Sequence, residues 1–125
     1  MREMILLLST LSVLLIFTHE YDAFHHREWK MFRFLRRFSN QTQYFIFLYA
    51  HIPLTLFLLY YLWTVVVFDN IILWIVMNVL LIIHFAIHVV ALKWKSNVFH
   101  SIYSFIIIGA AAIAGIINLC LCGYY

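Results

Sequence analysis

Seven histidines carry most of the chemical potential of this 125-residue sequence. His84 and His88 are four residues apart, so on a helix their imidazoles lie on one face and can share a metal ion. Five of the seven are predicted to lie at a similar depth in neighbouring helices, where a neutral imidazole needs a partner for each ring nitrogen. The predicted metal ligands are His19, His51, His84, His88 and His100.

Carboxylates are concentrated in the polar segment that follows the first apolar stretch. If this segment is helical, Glu20 or Asp22 can act as a general base on metal-bound water or as a further ligand. Asp22 can alternatively orient an imidazole, and with His25 it has the carboxylate-x-x-His spacing of di-metal bundles. Glu28 falls among apolar residues, which is unfavourable unless it points at a cation or a histidine. The predicted catalytic residues are Glu20, Asp22 and Glu28.

The composition predicts the elements that must position these side chains. Hydrophobic residues make up 66% of the chain and charged residues 10%, whereas soluble domains are about 25% charged. The 24 aromatic residues exclude a disordered chain. The sequence therefore predicts an all-α integral membrane protein of one domain, residues 1–125. Four transmembrane spans are predicted at residues 4–21, 44–68, 71–92 and 98–121.

Short connections between these spans predict an up-and-down four-helix bundle. The first span is short, but no small-x-small cleavage site follows it, so we expect a retained helix and not a cleaved signal peptide. In the last span, Ala111 with Gly115 and Ala110 with Ala114 form small-xxx-small pairs, which we expect to pack within the bundle.

Basic residues predict the orientation. Seven of the eight Lys and Arg residues fall in the first and third connections, which should be cytoplasmic, with both termini outside. An amphipathic interfacial helix is predicted over 27–38. Its apolar arc is predicted to hold Met31, Phe32, Phe34, Leu35 and Phe38. Its basic face is predicted to meet anionic lipid headgroups through Arg27, Lys30, Arg33 and Arg37. This placement indicates a membrane surface and not a nucleic acid as the partner.

Two motifs carry a family resemblance. The stretch His19-Glu20-x-Asp22-Ala23, followed by Glu28-Trp29-Lys30-Met31-Phe32, resembles a family of small bacterial integral membrane proteins. The signature of that family reads H-E-x-D-A and then E-W-[RK]-M/L-F. The chain is more loosely similar to the HXXEE membrane family, although the His-x-x-Glu-Glu spacing is not reproduced. The resemblance implies the whole-chain architecture and a location in the bacterial cytoplasmic membrane, and it supplies no activity.

Four functions fit these features. The first is a metal-dependent hydrolase or oxidase, with zinc or iron, that acts on a lipid-like substrate at the cytoplasmic membrane face. The second is a non-catalytic accessory protein in which the polar residues only stabilise helix packing. The third is a protein that binds haem b through two histidines on facing helices. The fourth is movement of protons or metal ions, which the scarcity of polar residues in the outer halves of the spans opposes.

Overall fold

Four long α-helices make up most of the chain. The computed structural model describes residues 1–94 and 101–124. The helices are α1 (Arg2–His25), α2 (Asn40–Val67), α3 (Ile71–Ala91) and α4 (Ile102–Cys120). Each is long and apolar enough to cross a membrane, so the chain has the make-up of a multi-pass membrane protein. The predicted count of four apolar helices is confirmed.

Side-chain caps fix where three of these helices begin. The Oγ atom of Ser39 accepts a hydrogen bond from the backbone N–H of Thr42 at 3.2 Å. In the same way, the side-chain oxygens of Asn70 and Ser101 each accept a hydrogen bond from the backbone N–H group three residues further along the chain. These caps satisfy backbone donors that have no partner inside the helix. Because Ser39 is a cap, α2 begins at Asn40, four residues earlier than the predicted span.

The connection between α1 and α2 differs from the prediction. One continuous helix was predicted over 27–38, but the structure has two short 3₁₀ helices, Glu28–Met31 and Arg33–Arg37. Arg27 has a left-handed backbone (φ 57°), and Phe32 between the two turns is extended. A 3₁₀ helix has three residues per turn, so the predicted apolar arc does not stay on one face. Met31 and Leu35 are buried in the bundle, whereas three of the phenylalanines remain exposed.

Neighbouring helices run in opposite directions. At one end of the bundle, Arg2 at the start of α1 forms an ion pair of 3.2 Å with Asp69 in the turn after α2. The Nδ2 atom of Asn118, near the end of α4, donates to Oδ1 of Asn78 in α3 at 3.0 Å. These contacts agree with the predicted up-and-down order.

Helix α4 packs closely along both α1 and α3, whereas α2 makes far fewer contacts with its neighbours. Small residues of α4 make this close approach possible. A Cβ atom added to Gly115 would lie only 3.0 Å from the backbone oxygen of Asn78. Ala111, Ala114 and Gly115 are buried, so these small residues pack within the bundle as predicted. The uneven packing leaves space between α2 and the other helices.

Candidate metal centre

Three of the five predicted metal ligands meet at one point. His19 of α1 and both His84 and His88 of α3 offer ligand atoms that lie within 4.8 Å of one another. Their ring centroids are separated by 4.8 to 5.0 Å. Two helices therefore supply a compact group of imidazoles, and the four-residue spacing in α3 places two of them on one face, as predicted.

A hydrogen bond fixes the orientation of His19. Its Nδ1 atom lies 2.7 Å from the Oγ atom of Ser104, in the first turn of α4. Both side chains are buried. When Nδ1 carries the proton and donates it to this hydroxyl, the lone pair of the ring is on Nε2. Metal-binding histidines commonly have this arrangement, in which the second nitrogen donates to a neighbouring oxygen.

His84 has a buried nitrogen that needs a ligand. Its Nε2 atom is shielded from solvent and has no hydrogen-bond partner in the described part of the chain. Buried polar atoms in proteins nearly always have a partner, and an exception often marks a bound ion or water. His84 belongs to the same group as His19 and His88, which could hold a metal ion.

His51, the fourth predicted metal ligand in the described residues, lies outside the group of three and contacts Glu20. Its Nδ1 atom donates to the carbonyl oxygen of Phe47 at 2.6 Å, and its Nε2 atom lies 2.7 Å from Oε2 of Glu20. Both ring nitrogens are thus engaged within the protein. In these contacts His51 positions the Glu20 carboxylate, and the described histidine group forms without it.

Glu28 is a buried carboxyl group at the same end of the bundle. Its side chain lies at the start of the first 3₁₀ helix, and the residue is only 6% exposed. Its Oε1 atom has no hydrogen-bond partner among residues 1–94 and 101–124. Burial, reinforced by the charges of Glu20 and Asp22, raises the pKa of Glu28 to about 8. At neutral pH this carboxyl group is therefore protonated and can donate a hydrogen bond.

The other predicted site residues lie elsewhere. Asp22 pairs with His26 on the next turn, with Oδ1 and Nε2 separated by 3.4 Å. His25 is exposed and contacts only the ring of His26 among the described aromatic contacts. Neither Asp22 nor His25 lines the cavity described below. The prediction for His100 lies outside the described residues.

A cavity of about 450 Å³ connects these groups. It lies between α1, α2, α3 and the two 3₁₀ helices, and its polar side chains are His19, Glu20, Glu28, His51, His84 and His88. The rest of its lining is apolar. This volume is within the range of about 300–1,000 Å³ that is usual for small-molecule sites. No sequence pattern predicts this cavity or the contact of Ser104, because both depend on how closely the helices approach one another.

The donor set fits a small divalent cation. Tetrahedral zinc with nitrogen ligands at about 2.0–2.1 Å brings those nitrogens to about 3.3 Å from one another. From the observed separation of up to 4.8 Å, metal binding would require nitrogens to move up to about 1.5 Å closer together. The ring centroids are too close for a porphyrin to lie between any two of the three imidazoles. The geometry therefore favours a single metal ion over haem at this position.

Comparison with known proteins identifies the family. The fold and the site define the class of protein: it is a small all-helical protein with a histidine group at one end of its helix bundle. The chain belongs to DUF6713, a family of unknown function, which it matches over residues 4–125. This assignment agrees with the expectation of a family of small proteins without an assigned activity. No curated protein and no solved structure matches the chain.

Proposed function

We propose that this protein is a multi-pass membrane enzyme that uses a divalent metal ion to hydrolyse a lipid-like substrate. The observation that carries the proposal is the convergence of His19, His84 and His88, whose ligand atoms lie within 4.8 Å of one another. Zinc is the metal that best suits three neutral imidazoles and hydrolysis, and iron is the alternative for the same ligands.

The membrane setting is the first part of the proposal. The helices expose many large apolar side chains, including Leu7, Ile72 and Ile106, which in water would be costly. In the α1–α2 connection, the exposed Phe34 and its basic neighbours suit the interface between acyl chains and anionic headgroups. By the distribution of basic residues, we infer that this connection is cytoplasmic and that the termini are outside. The bacterial inner membrane is the location that the family resemblance implies.

The second part of the proposal assigns a chemical role to each residue in the site. His19, His84 and His88 would hold the metal ion, which would supply activation of water for hydrolysis. Glu20 lines the same cavity and is held by His51, so it is placed to accept the proton of the attacking water. Glu28 lines the cavity in its protonated form and can donate a hydrogen bond to a substrate carbonyl oxygen.

For an acyl ester, the reaction balances without any further reactant. Oxygen from water forms a bond to the acyl carbon, and the bond between that carbon and the alcohol oxygen breaks. The proton that Glu20 accepts is returned to the leaving oxygen, so the products are a carboxylic acid and an alcohol. Hydrolysis of this kind needs no oxidant or reductant.

Metal content tests the proposal. Protein purified in detergent should contain about one zinc or iron ion per chain, and His84→Ala/His88→Ala should remove it. His25→Ala is a matched control, because His25 is an exposed histidine outside the cavity. Absence of metal from all samples, including protein incubated with zinc, would overturn the proposal.

That negative result would favour the accessory function instead. The hydrogen bond between His19 and Ser104, and the edge-to-face contacts of His19 with the other two rings, can also serve helix packing alone. In that case the double variant would lose stability without any change in bound metal.

Orientation has a separate test. The exposed Cys120 lies at the end of α4, close to the C-terminus. A membrane-impermeant maleimide should label it in intact spheroplasts. Labelling only after the membrane is opened would contradict the proposed orientation.

A further inference from the structure

The cavity extends well beyond its polar groups. On α3 it continues from His84 to Met77, and on α2 from His51 to Leu58, in each case seven residues or about 10 Å of helix. All the side chains that line this extension are apolar. We call it the apolar arm, and it is lined by Leu54, Phe57, Leu58, Met77, Leu80 and Leu81.

The apolar arm opens sideways onto the outer surface of the bundle. Helices α2 and α3 contact each other little, and α4 contributes no residue to the described cavity lining. Leu80 and Ile87 line the cavity and are also 43% and 52% exposed, so they lie at its edge. In a membrane this opening faces the hydrocarbon region, and an aliphatic chain can enter without crossing water.

The opposite end of the cavity reaches a basic rim. A second cavity of about 530 Å³ is lined by Met31, Phe32, Arg33, Phe34 and Trp94, and it shares all of these except Arg33 with the first. Arg33 is the charged residue in this lining. A molecule that passes the histidine group therefore has an apolar path on one side and a cation on the other.

The geometry points to one acyl chain of an anionic membrane lipid as the occupant. Its methyl end lies in the apolar arm, its ester carbonyl lies at the histidine group, and its headgroup leaves past Arg33. Among residues 1–94 and 101–124, no polar side chain lines the arm, so a headgroup there would lose its hydration without gaining a partner from these residues. The position of the reacting centre rests on the proposed function, whereas binding of the chain does not require metal.

Leu80 is the specificity-determining residue in this arrangement. It lies one helical turn from His84 in the direction of Met77. Its partial exposure gives a larger side chain room to fit. A tryptophan at this position would fill the arm and shorten the chain that fits. Val79 is the neighbouring residue, is 39% exposed and does not line the cavity. Val79→Trp is therefore a matched control for Leu80→Trp.

Photocrosslinking tests the inference. The probe is an analogue of decanoic acid, whose extended chain is close to the length of the arm, with a diazirine at its methyl end. In the purified protein we expect crosslinks within residues 54–58 and 77–81. Leu80→Trp should lower the yield at least about tenfold, the effect of excluding two methylene groups from an apolar site. Val79→Trp should leave the yield unchanged.

Two outcomes would overturn the inference: crosslinks spread over the lipid-facing residues, or equal yields from both tryptophan variants. Leu54→Trp repeats the test from α2 if Leu80→Trp does not fold. The same probe applied to His84→Ala/His88→Ala separates this inference from the proposed function. If crosslinking is retained and neither the wild type nor the double variant binds metal, the result supports the apolar arm and refutes the proposed enzymatic function. Bound metal with no crosslinking in the wild type refutes the arm alone.

Discussion

The hydrogen bond between Ser104 and His19 should make the proposed metal centre sensitive to a residue outside the group of three histidines. The Oγ atom of Ser104 lies 2.7 Å from Nδ1 of His19, and the two residues are 0% and 1% exposed. When Nδ1 of His19 carries the proton, Ser104→Ala removes the acceptor of this buried N–H group. The cost of such a group is about 1–3 kcal/mol. The loss of the orienting contact should also weaken metal binding about 10–100-fold.

A zinc titration against a chromophoric chelator, with the protein in detergent, measures this effect. Ser12→Ala is the matched control, because Ser12 is equally buried and its Oγ atom donates to the carbonyl oxygen of Leu8 at 2.8 Å, within its own helix. We expect the wild type and the Ser12 variant to bind zinc with similar affinity. Unchanged affinity in Ser104→Ala, or an equal loss in both variants, would refute the reasoning.

Three further predictions follow from the same contacts. In metal-free protein, the pKa of Glu28 is raised by burial from 4.5 to about 8, so the folded state holds more protons than the unfolded state between these values. Relative to Glu28→Gln, the wild type should therefore lose stability as the pH rises from 4.5 to 8, by up to about tenfold in the unfolding equilibrium per pH unit, as measured by chemical denaturation of both proteins. Gly115→Ala should lower the free energy of unfolding by about 1–3 kcal/mol, since its Cβ would lie 3.0 Å from a backbone oxygen of α3. Gly109→Ala, which meets only a flexible ring at 3.6 Å, should cost less, and equal effects would contradict the packing described here. His51→Ala should leave the metal content unchanged but destabilise the protein by about 1–3 kcal/mol through the unpaired Glu20, which elemental analysis and thermal unfolding can measure on the same sample.

Much of the architecture is predictable from the sequence because apolar length alone requires helices. Four uninterrupted apolar stretches, joined by short polar connections, leave few arrangements other than an antiparallel bundle. The helix ends were less predictable. Ser39 extends α2 towards its N-terminus through a cap, and Arg27, two residues after the end of α1, turns the chain with a left-handed backbone; both are local events.

The histidine group was predictable in part, for reasons of helical geometry. The spacing of His84 and His88 fixes them on one face, and depth in the bundle adds His19. The depth of a residue in the bundle does not determine which way its side chain points around the helix axis. Depth alone therefore could not distinguish His51, which contacts Glu20, from the three histidines that converge. The contact of His19 with Ser104 spans 85 residues of sequence and depends on the close packing of α4.

The acidic residues illustrate the same limit. Glu20 and Asp22 are two residues apart on one helix, so they point in different directions, one into the cavity and one towards His26. Glu28 was expected to need a cation or a histidine because it falls among apolar residues. It is buried in the cavity, where it stays neutral at pH 7 because burial disfavours its charge.

X-ray absorption spectroscopy of the zinc-loaded protein tests the central claim most directly, because it counts and identifies the atoms that bind the metal. We predict three imidazole nitrogens at about 2.0–2.1 Å and no sulfur ligand, with the imidazole signal lost in His84→Ala/His88→Ala. A sulfur ligand, fewer than three imidazoles, or a spectrum that the double substitution leaves unchanged would contradict the assignment of His19, His84 and His88 as the metal centre.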